Sequence, residues 1–274
     1  MKRFLTCLVI ILIAGAAVAS AADARRVVVL TYNIHHGEGT DAKFDLERIA
    51  TILRAASPDL AAVQEVDRKT QRSGGVDLAE ELARLTGLRM VFGRTINYAG
   101  GQYGNAVLSR LPVGRFENHA LPFTEGREPR AVLEVEVAVP LGDDDATSIL
   151  FFATHLDHTS DPKDRLAAAA FINNLVEAKP DRPMLLAGDL NATPDSRVIE
   201  ILRKAWRPVG EGQTLLTSPA GDPERQIDYI LYRPAGRWKV IEVRVLDEPA
   251  ASDHRPIRAV LELRPANVAT PGRE

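Results

Sequence analysis

The sequence predicts an α/β (α+β) protein whose core is made of packed, mixed β-sheets. Two observations lead to this fold class. Short runs rich in β-branched and apolar residues alternate with stretches in which apolar residues recur at helical spacing. Several of the runs also form long pairs joined by short turns, which antiparallel neighbours allow and parallel neighbours do not. The pattern therefore favours mixed sheets packed with helices over a purely parallel sheet.

Strand and helix patterns alternate along the first half of the chain. The strands are short apolar runs, and the helices carry apolar residues three and four positions apart. In chain order the predictions are a strand at 27–32, a helix at 45–56, a strand at 60–63, a helix at 77–86, and strands at 89–92 and 106–109. The first helix stops at Ser57-Pro58 and the second at Gly87, both of which are helix-ending signals.

The second half continues the same alternation. Its strands are predicted at 131–139, 148–154, 184–187, 226–232, 239–245 and 256–263, and its helices at 162–178 and 195–206. The first two of these strands flank Gly142-Asp143-Asp144-Asp145, which predicts a hairpin turn. Two glycine-bearing segments, 72–75 and 100–105, are predicted to be loops that bring the backbone close to a substrate.

The N-terminus carries the pattern of an export signal. Lys2 and Arg3 precede an uncharged apolar stretch at 4–18, and Ala19-Ser20-Ala21 resembles a cleavage site. The stretch is shorter than the roughly 20 apolar residues that a membrane-spanning helix needs. We therefore expect residues 1–21 to be a signal peptide and the mature chain to have no integral membrane span. The protein is expected to be exported, either periplasmic or secreted.

The mature chain is expected to be a single acidic domain. Residues 22–264 contain no linker or repeat, and residues 265–274 have the composition of a loose tail. The only cysteine, Cys7, lies in the signal, so no disulfide supports the mature chain. Loss of two basic residues with the signal takes 34 Lys and Arg to 32, against 37 Asp and Glu, for a net charge of −5. This net negative charge argues against a protein that wraps a polyanion. The mature protein is also expected to be a monomer.

Six predicted strand ends carry polar residues of the kinds that act on phosphate esters. They are Asn33, Glu65, His155 with Asp157, Asp189 with Asn191, Asp228, and Asp253 with His254. Each has a structural explanation by itself, because Asn caps turns and carboxylates pair with surface arginines. Together they supply the carboxylate, amide and imidazole groups that metal-assisted attack on a phosphate ester needs. The combination indicates an enzyme.

The sequence around these residues resembles the endonuclease/exonuclease/phosphatase superfamily, which has the deoxyribonuclease-I-like fold. The matching strings are Thr31-Tyr32-Asn33-Ile34, Gln64-Glu65-Val66-Asp67, Thr154-His155-Leu156, Gly188-Asp189-Leu190-Asn191, Ile227-Asp228-Tyr229 and Ser252-Asp253-His254. They follow the family's order over nearly the whole mature chain. The resemblance implies a four-layer α/β/β/α sandwich, in which two mixed β-sheets pack face to face with helices outside. It also implies a Mg²⁺-dependent phosphoesterase site at one end, where Mn²⁺ can substitute.

The resemblance assigns a metal-binding role to three residues. Glu65 would be the main ligand of the metal, and Asn33 would support it. Asp253 would lie near the metal or the leaving group. A hard cation such as Mg²⁺ prefers one or two carboxylates together with waters and substrate oxygens, which agrees with this set.

Five further residues would carry the chemistry. Asp189 would orient or deprotonate the attacking water, and Asn191 would hold that water or a phosphate oxygen. His254 would donate to the phosphate, with its ring fixed by Asp228, because a carboxylate behind an imidazole favours the protonated form. His155 would lie on the leaving-group side and stabilise or protonate the departing oxygen.

The match to the family departs at one position, and two further residues are candidates for substrate binding. Nuclease members often carry an acidic residue two positions after the first Asn, where this chain has His35, so the composition of the metal shell stays open. Asn105 and Arg130 are the candidates for substrate binding. Arg130 follows a Glu-Pro pair and would either contact phosphate or form a surface ion pair.

A dizinc site is an alternative interpretation of His155-Leu156-Asp157-His158. This string resembles part of the H-x-H-x-D-H motif of metallo-β-lactamase-like hydrolases, with His35-His36 as additional ligands. However, Ala153 stands where that motif has its leading His. Zinc sites also favour nitrogen and sulfur ligands, whereas the larger set of strand-end residues is rich in oxygen.

The expected substrate is a small or lipid-linked phosphodiester. The mature chain is acidic and contains no basic tract interleaved with aromatic residues, so nucleic acid is disfavoured and a secreted nuclease is the alternative. A non-catalytic binding module with the same fold is a second alternative. The presence of Glu65, Asp189 and His254 argues against it, because a module without activity has no need of a complete site.

Overall fold

Two six-stranded mixed β-sheets face each other in the computed structural model, which describes residues 25–141 and 146–265. The strands in chain order are β1 (Arg25–Asn33), β2 (Leu60–Arg68), β3 (Arg89–Tyr98), β4 (Gly101–Ser109), β5 (Val113–Ala120), β6 (Ala131–Pro140), β7 (Ala146–His155), β8 (Met184–Asp189), β9 (Arg207–Pro208), β10 (Asp228–Arg233), β11 (Trp238–Val245) and β12 (Ile257–Leu263). The signal peptide predicted at 1–21, with Cys7, lies outside the described residues. So do the acidic turn at 142–145 and residues 266–274 of the predicted tail.

The strands divide into two sheets with the same kind of topology. The first has the order β11-β12-β1-β2-β4-β3, and the second has the order β5-β6-β7-β8-β10-β9. Each sheet contains one parallel pair, β1 with β2 and β7 with β8, and its other pairs are antiparallel. The mixed sheets confirm the predicted fold class.

The helices cover the outer faces of the two sheets. They are α1 (Leu46–Ala56), α2 (Leu78–Thr86), α3 (Lys163–Glu177) and α4 (Arg197–Leu202), with short 3₁₀ turns at His35–Gly37 and Ala235–Arg237. The first two helices pack on the first sheet and the other two on the second, which gives the four-layer sandwich. Asp45 and Asp77 cap the first two helices, because each carboxylate accepts a hydrogen bond from a backbone N–H of the first turn. No helix among the described residues has the length and apolar character that crossing a bilayer requires.

The core between the sheets consists of side chains that alternate along the strands. Val29 of β1, Leu133 of β6 and Phe151 of β7 are fully buried in this layer. The neighbouring residues of the same strands point outward, where Leu30 packs under the first pair of helices and Phe152 under the second. Both faces of the central strands are therefore apolar, which explains their continuous apolar runs in the sequence.

Several sequence-based expectations differ from the structure. The segment 100–105 was expected to be a loop, which is wrong, because β4 begins at Gly101 and only a tight turn separates it from β3. Strand β5 was not expected, since it lies at a sheet edge with mostly exposed, polar side chains and so lacks an apolar run. The helix expected at 195–206 is shorter, at Arg197–Leu202.

The topology brings the polar strand ends to one end of the sandwich. Parallel pairing places Asn33, at the end of β1, beside Gln64 of β2, and the end of β7 beside that of β8. In this register His155 is the partner of Asp189, and antiparallel β10 places Asp228 on the other side of Asp189. Gly188 makes the close approach possible, because a Cβ at this position would overlap the carbonyl oxygen of Thr154 on β7.

Candidate active site

A cavity of about 350 Å³ opens at this end of the sandwich. The predicted site residues that line it are Glu65, Arg130, His155, Asp189, Asn191, Asp253 and His254. Four residues that the sequence analysis did not assign to the site line it as well: His35, Tyr103, Glu128 and His158. A larger groove of about 650 Å³ at the β3–β4 turn contains none of the predicted catalytic groups. The smaller cavity is therefore the candidate active site.

Asn33 joins the two sheets at the floor of the site. Its buried Nδ2 donates to Glu65 Oε1 at 3.0 Å and to Asp189 Oδ2 at 3.2 Å. Its Oδ1 accepts a hydrogen bond from the backbone N–H of His35 at 3.0 Å. Because Glu65 lies on the first sheet and Asp189 on the second, one amide fixes the relative position of the two carboxylates.

Glu65 is aimed at the cavity by a backbone irregularity. The pairing of β2 with β4 shifts between Val63 and Val66, and Glu65 itself has a φ of 59°. Burial acts to raise the pKa of Glu65, but the nearby His36 and His155 rings and the Asn33 amide outweigh it and hold that pKa well below its ordinary value. Glu65 is therefore a carboxylate at neutral pH and can serve as a ligand for a cation.

His254 and Asp228 form a buried ion pair. His254 Nδ1 lies 2.8 Å from Asp228 Oδ2, which also accepts a hydrogen bond from Thr217 Oγ1 at 2.6 Å. Burial acts to lower the pKa of His254, but the negative charge of Asp228 outweighs it and raises that pKa to about 10. His254 is therefore protonated at neutral pH. Its ring faces the cavity as a cationic hydrogen-bond donor.

The segment that carries His254 is tied to the end of β1. Ser252 Oγ donates to the backbone oxygen of Asn33 at 2.7 Å, and the backbone N–H of His254 donates to Ser252 Oγ at 3.2 Å. These bonds hold the segment that places Asp253 on the cavity wall. The small Ser252 side chain thus positions two of the predicted site residues.

Asp189 is the most buried carboxylate of the cavity wall. Its Oδ1 accepts the backbone N–H of Asn191 at 2.8 Å, and its Oδ2 lies 3.4 Å from His155 Nε2 and 3.8 Å from His254 Nε2. Burial and the charge of Asp228 raise the pKa of Asp189 to about 7, although His254 opposes them. A carboxylate with this pKa accepts a proton readily near neutral pH.

His155 and Asn191 form the opposite wall. Asn191 Nδ2 lies 3.1 Å from His155 Nε2 and donates to the backbone oxygen of Leu156 at 3.1 Å. Burial, followed by the charge of Arg130, lowers the pKa of His155 well below its ordinary value. The His155 ring is therefore neutral at physiological pH, in contrast to His254.

A second cationic group reaches the cavity from the segment before β6. Arg130 is almost fully buried, its Nη2 donates to His158 Nδ1 at 3.2 Å, and its Nη1 lies 3.3 Å from Glu128 Oε1. Because an arginine only donates, Nδ1 of His158 is the acceptor, and the other ring nitrogen makes no hydrogen bond among the described residues. Arg130 and His158 therefore offer donors to an anionic substrate.

Besides Asn33 and Asp228, which lie behind the cavity wall and hydrogen-bond to residues that line it, two predicted residues do not line the cavity. Asn105 is buried in β4, donates to the backbone oxygen of Ala131 at 3.4 Å, and does not line the cavity, so its substrate role stays a prediction. Asp157 accepts hydrogen bonds from Thr159 and lies 3.6 Å from the Arg127 guanidinium. It therefore stabilises the loop after β7.

The residues missed by the sequence analysis carried weak signals. His158 lay in the string that was interpreted as part of a zinc motif, and Tyr103 lay in the segment that was expected to be a loop. Glu128 lies two positions before Arg130, and His35, which the sequence analysis named without assigning it a role in the leading interpretation, lies two positions after Asn33. The signal that all four shared was a position within three residues of a predicted site residue.

The donor groups suit a hard divalent cation better than zinc. Asp189, Asp228 and His254 offer ligand atoms within 4.8 Å of one another, but Asp228 Oδ2 already accepts hydrogen bonds from Thr217 and His254. Glu65 is ionised and has one oxygen without a hydrogen-bond donor within 3.5 Å among the described residues. The described part of the chain does not bring His155, Asp157 and His158 together as zinc ligands.

Comparison with known proteins identifies the family of this chain. The chain matches the model of the Endonuclease/Exonuclease/phosphatase family over residues 30–254. It is 27% identical over 253 residues to the uncharacterized protein YbhP of Escherichia coli strain K12, an alignment that covers 86% of this chain and 96% of that protein.

Solved structures share the same fold. An endonuclease/exonuclease/phosphatase from Beutenbergia cavernae is 26% identical with a TM-score of 0.75, over 89% of this chain and 73% of that one. A mannosyl-6-phosphatase from Bacteroides thetaiotaomicron is 19% identical with a TM-score of 0.69, over 86% of this chain and 99% of that one, which is a likeness of fold. Because the family match extends from the first strand to His254, the chain belongs to the endonuclease/exonuclease/phosphatase family, whose members hydrolyse phosphoesters.

Proposed function

We propose that this protein is an exported, Mg²⁺-dependent phosphodiesterase that hydrolyses a small or lipid-linked phosphodiester by metal-assisted attack of water. One observation carries the proposal. A single amide, that of Asn33, holds the ionised Glu65 and the proton-accepting Asp189 at the floor of one cavity. The His254–Asp228 ion pair faces the same space, so a cation ligand, a base and an anion-binding group converge there.

The cation would be held by Glu65, with Asn33 behind it and Asp253 on the adjacent wall. A bound Mg²⁺ supplies charge neutralisation and polarisation of a phosphoryl oxygen. The protein fixes the donor set before the cation binds, because the hydrogen bond from Asn33 orients the Glu65 carboxylate. The remaining coordination positions of Mg²⁺ are usually filled by water and substrate oxygens.

Asp189 acts as the base in this proposal. With a pKa near 7 it is partly ionised at neutral pH and takes a proton from water as the water attacks phosphorus. The backbone N–H of Asn191 and the Asn33 amide hold its two oxygens, so its position is fixed before the substrate binds. The Asn191 side chain, on the same wall, would hold the water or a phosphate oxygen.

The imidazoles divide two tasks between them. His254, kept protonated by Asp228, donates to the phosphate and stabilises the negative charge that builds up during the attack. His155 is neutral, so it supports the departing oxygen by a hydrogen bond and not by its positive charge. Arg130 and His158 add donors at the rim and would hold a second phosphate oxygen.

Charge supports a small substrate over nucleic acid. The mature chain carries a net charge of −5, and the cavity offers one arginine, whose guanidinium is partly compensated by Glu128. A protein that binds a long polyanion presents several cations along one face. One arginine and one cationic histidine are enough for a single phosphodiester or a head group.

A substrate panel tests the proposal. The purified protein with Mg²⁺ is assayed on nucleotides, phospholipids, inositol phosphates and plasmid DNA at two salt concentrations, with Asp189→Asn as the inactive control. We expect turnover of a small or lipid phosphodiester that the control lacks. Rapid nicking of plasmid that collapses with added salt, without turnover of small esters, would replace the proposal with a secreted nuclease.

A further inference from the structure

His35 lines the candidate active site and has no role in the proposed function. It follows the end of β1 by two residues and lines the same cavity as Glu65 and Asp253. His35 therefore faces the same space as the proposed cation site and offers a ring nitrogen to it.

The tautomer of His35 is fixed by its own loop. Its Nδ1 lies 3.1 Å from the backbone oxygen of Glu38. A carbonyl oxygen only accepts hydrogen bonds, so Nδ1 carries the proton and Nε2 of the neutral ring keeps its lone pair. Nε2 makes no hydrogen bond to any residue in the described part of the chain. Metal-binding histidines commonly have this arrangement, in which the second ring N–H donates to a backbone carbonyl.

The backbone holds the ring where it is. His35 and His36 have φ values of 43° and 47°, in the left-handed region that residues other than glycine seldom occupy. Asn33 Oδ1 accepts the backbone N–H of His35, so the same side chain that orients Glu65 also fixes the His35 backbone. Gly37 completes the turn with a φ of 88°, and a Cβ there would lie 2.9 Å from the Phe44 ring.

The neighbouring His36 has a different environment and provides a matched control. Its ring centroid lies 4.4 Å from that of His35, yet it does not line the cavity. Its Nδ1 lies 3.9 Å from Glu65 Oε2, and its Nε2 lies 3.8 Å from Glu38 Oε2. His36 thus lies between two carboxylates. His35 lines the cavity, and its Nε2 makes no hydrogen bond among the described residues.

We infer that His35 Nε2 is a ligand of the divalent cation held by Glu65, and that this nitrogen shifts the preference of the site from Mg²⁺ toward Mn²⁺. The inference rests on the cation site of the proposed function. Mg²⁺ prefers a shell made of oxygen and keeps its waters, whereas an imidazole ligand favours first-row transition metals over Mg²⁺. Among those metals, Mn²⁺ is the one that also suits the carboxylate and amide oxygens of this site. The chain would therefore bind Mn²⁺ more tightly than a site made of oxygen ligands does.

The test measures the ligand directly and does not depend on turnover. The full chain is loaded with Mn²⁺, and pulsed electron paramagnetic resonance detects coupling of the metal electrons to a nitrogen nucleus. Affinities for Mn²⁺ and Mg²⁺ are measured by calorimetry on the same samples. The variants are His35→Asn and, as the control, His36→Asn, because Asn tolerates the left-handed backbone that both positions require.

We expect nitrogen coupling in the wild type and in His36→Asn, and its loss in His35→Asn. The ratio of Mn²⁺ to Mg²⁺ affinity should fall in His35→Asn by at least about tenfold, the lower end of what loss of a group around a metal costs. Circular dichroism of both variants checks that the fold is kept.

Two results would overturn the inference and leave the proposed function standing. One is Mn²⁺ binding without nitrogen coupling in the wild type, and the other is coupling that persists in His35→Asn, which would assign it to another histidine of the cavity. Failure of the proposed cation site has a separate signature. It would appear as unchanged Mn²⁺ affinity in Glu65→Gln, and the His35 inference would fall with it.

Discussion

Asp228 Oδ2 lies 2.8 Å from His254 Nδ1, and through this contact one carboxylate sets the charge of two cavity groups. It raises the pKa of His254 to about 10, and its negative charge also helps to raise the pKa of Asp189 to about 7. Asp228, which does not itself line the cavity, therefore keeps His254 protonated and Asp189 able to accept a proton at neutral pH.

Replacing Asp228 by Asn should move both limbs of the pH–rate profile. Without the negative charge, the pKa of His254 falls from about 10 and that of Asp189 falls below about 7, so both limbs shift to lower pH. We expect kcat at the optimum to fall by roughly 10²-fold or more, because the His254 ring loses its partner. The measurement is kcat against pH, with a His254 titration by NMR. An alkaline limb that stays at the wild-type pH would contradict the role assigned to Asp228, which is to keep His254 protonated.

Replacing Asp189 by Asn should abolish turnover and stabilise the metal-free protein. Burial raises the pKa of this carboxyl in the folded state, so its contribution to stability is complete below its ordinary pKa and is lost as pH rises through about 7. Asn does not titrate, so the variant does not lose this stability as pH rises. Its Tm should therefore exceed that of the wild type by more at pH 8 than at pH 5. Each kcal/mol gained raises Tm by roughly 2–4 °C in a domain of this size.

Thermal unfolding in the presence of a chelator measures this difference, because a bound cation would lower the cost of the Asp189 charge. The same protein samples are assayed for turnover with Mg²⁺. An equal Tm difference at the two pH values would show that the carboxyl is not titrating in this range.

Replacing Glu65 by Gln should remove the cation site while keeping the fold. The Gln carbonyl can still accept the hydrogen bond that Asn33 donates, so the loss is one of charge. We expect the Mg²⁺ affinity to fall by at least about tenfold and turnover to follow it. Glu38→Gln is the control, since that carboxylate is more exposed and does not line the cavity.

Metal removal checks the same site in the wild type. Chelation should stop turnover, and Mg²⁺ or Mn²⁺ should restore it better than Zn²⁺, because the donor set is rich in oxygen. Restoration by Zn²⁺ alone would favour the dizinc interpretation of the histidines after β7.

Replacing Gly188 by Ala should damage both stability and activity. The added Cβ would overlap the Thr154 carbonyl, so β7 and β8 must separate, at a cost of about 1–3 kcal/mol. The separation would move Asp189 away from His155, and kcat should fall with Tm. Gly236→Ala is the matched control, because a Cβ there meets nothing within 4 Å. If the two variants have the same Tm and kcat, the close pairing of β7 with β8 at Gly188 is not needed for stability or activity.

The sequence by itself determined the mixed α/β class and the strand ends that carry the chemistry. Both are local properties. The apolar run at 184–187 predicts a buried strand, and Asp189 follows it directly, so the carboxylate must emerge where the strand stops. The same reasoning placed Asn33 after the strand predicted at 27–32 and His155 after the strand predicted at 148–154, and the family resemblance supplied the number of layers.

Only the tertiary structure decided which of these groups meet. Asn33 and Asp189 are 156 positions apart, and nothing in either local sequence specifies the hydrogen bond that joins the two sheets. The structure likewise separated Asp157 from the cavity and brought His158 to its wall, although both belong to one short string. Local patterns fix which face of a strand is buried, whereas contacts between strands depend on the register and packing of whole sheets, which single segments do not encode.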